Sequence, residues 1–216
     1  YRRIGNFKND PLNPSSLPHN DVGRVMEDRK GNLWIGTAVG LAVLDARRKQ
    51  MTVYKHVKGD STSLAGDDVA GILEDRSGTM WICTRGGLSQ VLPGEQRRFR
   101  NYLNDPKEAH DIGGNFVSGI LEDSHSNHWV ATYGRGLNKL EANGTVKRFL
   151  HPGDSSGTQE NWIYSFVEDH NGLFWLSTLA ELVSFDPQSG QFTQHQIEQL
   201  RDVHIFGIHV DKKNDL

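Results

Sequence analysis

A tryptophan-centred phrase recurs along this chain, and its period limits the folds open to it. Trp34, Trp81, Trp129 and Trp175 stand at intervals of 47, 48 and 46 residues, the second inside the stretch Val69–Leu88 and the others inside versions of it. Those versions run Val22–Leu41, Val117–Leu137 and Ile163–Leu182, and a fifth starts at Ile205 and reaches Leu216, one position before its tryptophan would fall. Strand-like units with a period of about 40–50 residues are the signature of propeller blades.

Within one unit, Val69–Glu74, Met80–Thr84, Gly87–Leu92 and Arg98–Tyr102 read as short strands separated by turn residues. No window keeps an apolar 3.6-residue period long enough for the helix pairs of a solenoid. The expected fold is therefore all-β, a β-propeller with four-stranded blades. About four complete blades are expected at 22–54, 69–102, 117–150 and 163–195, with partial blades at 1–7 and 203–216, as one array that is a fragment of a larger ring. Such a piece would leave apolar blade faces open at both ends, so it is expected to belong to a longer folded chain or to self-associate.

Residue types at matching positions follow from crowding. Two residues after each tryptophan stands Gly36, Cys83, Ala131 or Ser177, small enough for neighbouring blades to approach. Ile35, Ile82, Val130 and Leu176 add apolar area beside the indoles, worth about 25 cal/mol per Å² removed from water. The Asp28/Gly31 and Asp75/Gly78 pairs read as side-chain-capped turns with glycine at positive φ. The third copy has Ser126 there, and its turn is expected to be looser.

The composition is that of an ordinary folded domain, 36% apolar and 24% charged. A net charge of −3 without a long basic block supplies no electrostatic footprint for nucleic acid or anionic membrane. No apolar run is long enough to span a bilayer. One cysteine makes no internal disulfide and fits either the cytoplasm or the periplasm.

Strand order places candidate ligand residues. The loops joining the fourth strand of one blade to the first of the next share a face with the turns between second and third strands, while the Asp turns occupy the opposite face. The shared face is lined by Arg85, Tyr133 and Arg135, with Asn20, Asp67, Asn115, Asn161 and Trp162 arriving from the longer loops. These positions vary in type where scaffold positions do not, and charge, hydrogen bonding and stacking surface suit a polar small molecule such as a sugar acid or oligosaccharide.

Catalytic and metal motifs are not found. The Glu-Asp pairs (Glu27/Asp28, Glu74/Asp75, Glu122/Asp123, Glu168/Asp169) recur in every copy, which favours structural use over an acid/base couple. His125 and His128 lack a third ligand at a zinc spacing. Nucleophile-elbow, P-loop and dinucleotide fingerprints do not occur. No cofactor, catalytic residue or metal is expected.

The pattern I-L-E-D-x-x-G-x-x-W-I-x-T-x-x-G-L at Ile72–Leu88 and its copies, with the Ser16–Val22 and Ser63–Val69 elements before them, resembles the two-component regulator propeller repeat. The resemblance implies the periplasmic sensor region of a bacterial inner-membrane signalling protein. In that family two seven-bladed propellers precede a membrane helix and a histidine kinase or diguanylate cyclase output. It also implies a non-catalytic, ligand-sensing role and membrane attachment only through segments downstream; self-association or dimerisation of the sensor region is expected from the open blade faces. Two alternatives are a pure protein-interaction platform and a propeller lyase of the streptogramin-inactivating type, which would bring His19 or His110 and a magnesium ion to the loop face. The fourth copy departs from the pattern at Ala180-Glu181.

Overall fold

Each tryptophan phrase folds as the middle of a four-stranded antiparallel sheet. A computed structural model describes residues 6–94, 97–105, 112–151, 161–179, 181–195, 197 and 205–216. The chain divides into two units, Tyr1–Asn101 and Tyr102–Leu216.

The first unit holds β1 (Val22–Glu27), β2 (Leu33–Thr37), β3 (Gly40–Leu44) and β4 (Met51–Tyr54), followed by β5 (Val69–Glu74), β6 (Met80–Thr84), β7 (Gly87–Val91) and β8 (Phe99–Tyr102), which ends at the unit boundary. The second holds β9 (Val117–Glu122), β10 (His128–Thr132), β11 (Gly136–Leu140) and β12 (Val146–Phe149), then β13 (Ile163–Glu168), β14 (Phe174–Thr178), β15 (Leu182–Asp186) and β16 (Gln191–His195). Each sheet is ordered as it is written in sequence, so every connection is a hairpin. β7 stops at Val91 and β8 begins at Phe99, one residue inside the expected limits at each side, because Leu92 and Arg98 close the turn with a single backbone bond of 2.8 Å.

The tryptophan strands are covered on both faces, which is why they read as apolar runs rather than alternating ones. In the first unit Trp34, Leu41 and Val43 of one sheet pack with Val69, Met80 and Ile82 of the next. Gly36 is small because of this packing: a Cβ there would lie 2.5 Å from Val69 Cγ1. In the second unit Trp129, Ala131 and Leu137 pack with Ile163, Phe166, Phe174 and Phe185. Trp129 meets Phe174 and Phe185 edge-on at 5.1 and 5.5 Å, the geometry favoured by ring quadrupoles.

The Asp turns are carboxylate cages. Oδ2 of Asp28, Asp75, Asp123 and Asp169 accepts the indole N–H of the tryptophan six residues on, at 2.8, 2.9, 2.8 and 3.1 Å. Oδ1 of Asp28 and of Asp123 accepts two backbone N–H groups of the turn. Burial pushes the Asp28 and Asp123 carboxyls upward, but the bonds from Trp34 and Asn32, and from Asn127 and Trp129, outweigh it and hold both below the usual carboxylate value.

The expectation of a looser third turn is corrected. Ser126 adopts φ 65° and its N–H reaches the Asp123 carbonyl at 2.9 Å, matching Gly31 to Asp28 at 2.8 Å. The cage on Asp123 supports the strained conformation.

Two glutamates of the Glu-Asp pairs tie one sheet to the next. Glu74 Oε2 accepts from Arg29 N–H at 2.8 Å, and Glu168 Oε2 accepts from Ser124 N–H at 2.7 Å. Glu27 instead pairs with Arg48 of its own sheet at 3.0 Å.

At the chain's end the fifth copy forms its turn: Asp211 N–H reaches the Asp215 carbonyl at 2.9 Å and Asn214 takes φ 71°. The inner strand expected at 205–210 is not formed, since no second strand pairs with it among the described residues. Of the partial blade expected at 1–7, residues 1–5 lie outside the described residues, and Asn6 and Phe7 are not in a strand. Residues 203–204 also lie outside them.

Candidate site at the hairpin and loop junctions

The hairpin after each tryptophan strand is pinned by its threonine. Thr37, Thr84, Thr132 and Thr178 each donate Oγ1–H to a carbonyl three or four residues on, at 2.8, 2.8, 3.1 and 2.9 Å. The next residue then donates its N–H to the incoming loop of its own sheet: Ala38 to Asp21, Arg85 to Asp68, Tyr133 to Phe116. These three hairpin tips are thereby paired with the residue just before an inner strand.

In the first unit the second of these pairs is polar. Arg85 Nε meets Asp68 Oδ2 at 2.7 Å with side chains 65% and 40% exposed, a contact worth little in water. In the second unit the Tyr133–Phe116 pair is aromatic. Tyr133 stacks between Phe116 and Trp162, with centroids at 4.9 and 4.6 Å, and a β-bridge joins Tyr133 to Trp162. Gly134 is required here: at φ 74° it lets the turn pass Trp162, whose Nε1 would lie 2.8 Å from a Cβ.

A β-bulge adds one further ring, and the fifth copy another. Every inner strand shifts register by one residue near its start, and the extra residue is Gly23, Ala70, Ser118 or Tyr164. Phe206 holds the corresponding place in the fifth copy. Tyr164 lies edge-on to Tyr133 at 5.6 Å with the two hydroxyls 3.2 Å apart, and Phe206, 67% exposed, lies edge-on to Tyr164 at 5.2 Å. Burial, then the hydrogen bond to Tyr133, push the Tyr164 phenol up to about 12. Arg135 is exposed and its Cγ passes within 3.0 Å of where a Gly114 Cβ would stand. Five rings and one guanidinium thus belong to one unit, offering stacking surface, two phenol hydroxyls and a positive charge.

The four loop residues do a different job. Side-chain oxygens of Asn20, Asp67, Asn115 and Asn161 accept backbone N–H bonds from Asn9, His56, Asn104 and His151, at 2.8, 2.7, 2.6 and 3.0 Å. Each clasps the loop that precedes its own inner strand. Of the eight candidates, the structure brings together Tyr133 and Trp162 with Phe116, Tyr164 and Phe206, while Arg135 sits two residues after Tyr133 in the same hairpin, against Gly114. Arg85 stands with Asp68, and the four clasps are spent on backbone. Tyr164 and Phe206 are not among the eight, and their signal in the sequence is a column reading Gly, Ala, Ser, Tyr, Phe.

His19 is exposed, and its Nδ1 accepts the Asp21 N–H at 3.0 Å. His110 and Ala180 lie outside the described residues. Among the described residues no group of three or more His, Cys, Asp or Glu side chains could hold a metal ion.

The two component regulator propeller family profile matches residues 16–38 and 63–86. Among solved structures, the extracellular domain described as that of the hybrid two component system BT3049 from B. thetaiotaomicron superposes with a TM-score of 0.71 at 22% identity, over 86% of this chain and 25% of that one. The extracellular domain of BT4673 from the same organism gives 0.70 at 19% identity, over 90% and 25%. Virginiamycin B lyase from Staphylococcus aureus gives 0.61 at 18%, over 84% and 58%. The chain thus spans about a quarter of the length of the first two, 25% in each case. No curated protein sequence matches it. These likenesses show the fold: the sheets are propeller blades of four antiparallel strands.

Proposed function

We propose that this chain, which is built on two-component regulator propeller repeats, is a ligand-sensing part of a bacterial transmembrane signalling protein. The region lies outside the cytoplasm, in the periplasm, and is itself non-catalytic. Its output is a histidine kinase or diguanylate cyclase module elsewhere in the protein. The ligand is a polar small molecule with an apolar face and an acidic group, a sugar acid or acidic oligosaccharide.

The observation that carries this reading is the stack of Phe116, Tyr133 and Trp162, in the hairpin that also carries the exposed Arg135. Rigid rings give contact area at small entropic cost, and a guanidinium takes a carboxylate in a fork of N–H donors. Binding would favour one arrangement of the sensor region, through self-association, and so bias the output. A propeller lyase remains the second reading, because the lyase fold is similar.

The test is a binding screen of neutral and acidic oligosaccharides by thermal shift and calorimetry on the chain and on Trp162→Ala and Arg135→Ala. An acidic saccharide that raises the melting temperature, and whose affinity falls about tenfold or more in each variant, fits the proposal. Undiminished binding in both variants would refute the site, and turnover of the bound molecule would refute the non-catalytic reading.

A further inference from the structure

On the Asp-turn side of the first unit, the sheets β1–β4 and β5–β8 leave a groove of about 420 Å³ between them. Its walls include Lys30, Trp34, Glu74, Thr79, Pro93 and Arg97. A smaller hollow of about 210 Å³ adjoins it and shares Asn32 and Arg97. The larger space is of the size that takes a small metabolite.

The charges on this wall are unequal in availability. Asp28 is 8% exposed, and its two oxygens accept from Lys30 and Asn32 N–H, Asn32 Nδ2 and Trp34 Nε1. Glu74 accepts the Arg29 N–H through Oε2. Both carboxylates are thus engaged in holding turns. The two cations are not so engaged. Lys30 is exposed and the Arg97 guanidinium lies over the Trp34 ring at 4.6 Å, and neither forms a salt bridge among the described residues. The indole face holds Arg97 in place, and no hydrogen bond takes up its N–H donors among the described residues.

We propose that this groove is a second binding site, for a small multivalent carboxylate held between the Lys30 ammonium and the Arg97 guanidinium. Arg97 supplies the oriented fork and Lys30 the point charge. Glu74 and the capped Asp28 set the selectivity, since they repel an acid that cannot reach both cations at once. The site draws on none of the aromatic residues of the second unit, so it stands or falls separately from them.

The probe is citrate, added to the chain against sodium chloride at equal ionic strength, with the melting temperature and the Trp34 indole N–H resonance as readouts. Citrate raises the melting temperature and shifts that resonance, and chloride does neither. Lys30→Gln, an exposed change with no side-chain contact to lose, keeps the fold and weakens citrate about tenfold. Arg97→Gln loses the response, and Arg135→Ala keeps it. No citrate response in the unmutated chain, or an equal one in Lys30→Gln, overturns the proposal. A response lost in Arg135→Ala and kept in Lys30→Gln overturns it too, by assigning the anion to the aromatic site.

Discussion

The side-chain oxygen of Asn214 accepts a hydrogen bond from the backbone N–H of His170 at 2.8 Å. Glu74 makes the same kind of contact to Arg29, and Glu168 to Ser124. In the fifth copy the glutamate's place is held by Val210, which offers no acceptor. Asn214, the left-handed residue of the same turn, supplies the oxygen instead. The N–H after each of these turn aspartates is thus satisfied by the following repeat even where the residue type changes.

Asn214→Ala removes that acceptor and also puts alanine at φ 71°, where asparagine is tolerated better. We expect a loss of about 1–2 kcal/mol in chemical unfolding. Asn214→Gly relieves the backbone and lacks the acceptor, so it should fall between the two. An unchanged midpoint in Asn214→Ala would mean that the contact contributes nothing.

The Asp cages govern acid stability. The folded-state pKa values of Asp28 and Asp123 lie below their unfolded ones. Their stabilisation is therefore complete above about pH 4 and is lost as pH falls through the lower folded values. Asp123→Asn keeps the shape and removes the titration, so its stability should vary less with pH below about 4 than that of the unmutated chain. Asp123→Ala leaves the buried Trp129 N–H without an acceptor and should cost about 3 kcal/mol at neutral pH. Urea unfolding at a series of pH values measures both.

Much of this was legible in the sequence because the constraint is local. Asp28 and Trp34 are six residues apart in a turn and strand of fixed geometry, so the phrase repeats whenever the cage does. Gly36 was readable as a crowding position for a similar reason, since Val69 fills the space a side chain would need. The aromatic site was half legible. Tyr133 and Trp162 stood out as types, but Tyr164 is a bulge residue, and an extra residue in one strand defeats the two-residue alternation by which faces are assigned. Asn20, Asp67, Asn115 and Asn161 were placed at the right loops, yet polarity alone does not separate a side chain offered to a ligand from one clasping backbone eleven or ten residues away.

The contact of Gly36 with Val69 gives a test of packing between neighbouring blades. Gly36→Ala forces its Cβ against Val69 and should cost about 1–3 kcal/mol. Val69→Ala alone should cost about 1–3 kcal/mol through the cavity it leaves. In the double variant the Cγ1 that would lie 2.5 Å from the new methyl is gone and only Val69 Cβ, at 2.9 Å, stays close, so the combined loss should be smaller than the sum. Additive losses would show that the two positions do not compete for one volume.

Alkaline titration tests the tyrosine pair. Tyr164, raised to about 12, should ionise at higher pH than a solvated tyrosine. Because the folded value exceeds the unfolded one of about 10, the protonated phenol stabilises the fold fully below pH ~10, and that contribution drains away as pH rises toward the folded value. Tyr133→Phe removes the hydroxyl that shares the 3.2 Å contact and one of the influences raising the pKa, so Tyr164 should titrate at lower pH in that variant. Ultraviolet difference absorbance of the tyrosinate band, followed against pH in both proteins, reads the shift. A Tyr164 titration unmoved by the substitution would leave burial as the sole cause and would break the hydroxyl contact on which the aromatic site's polar rim depends.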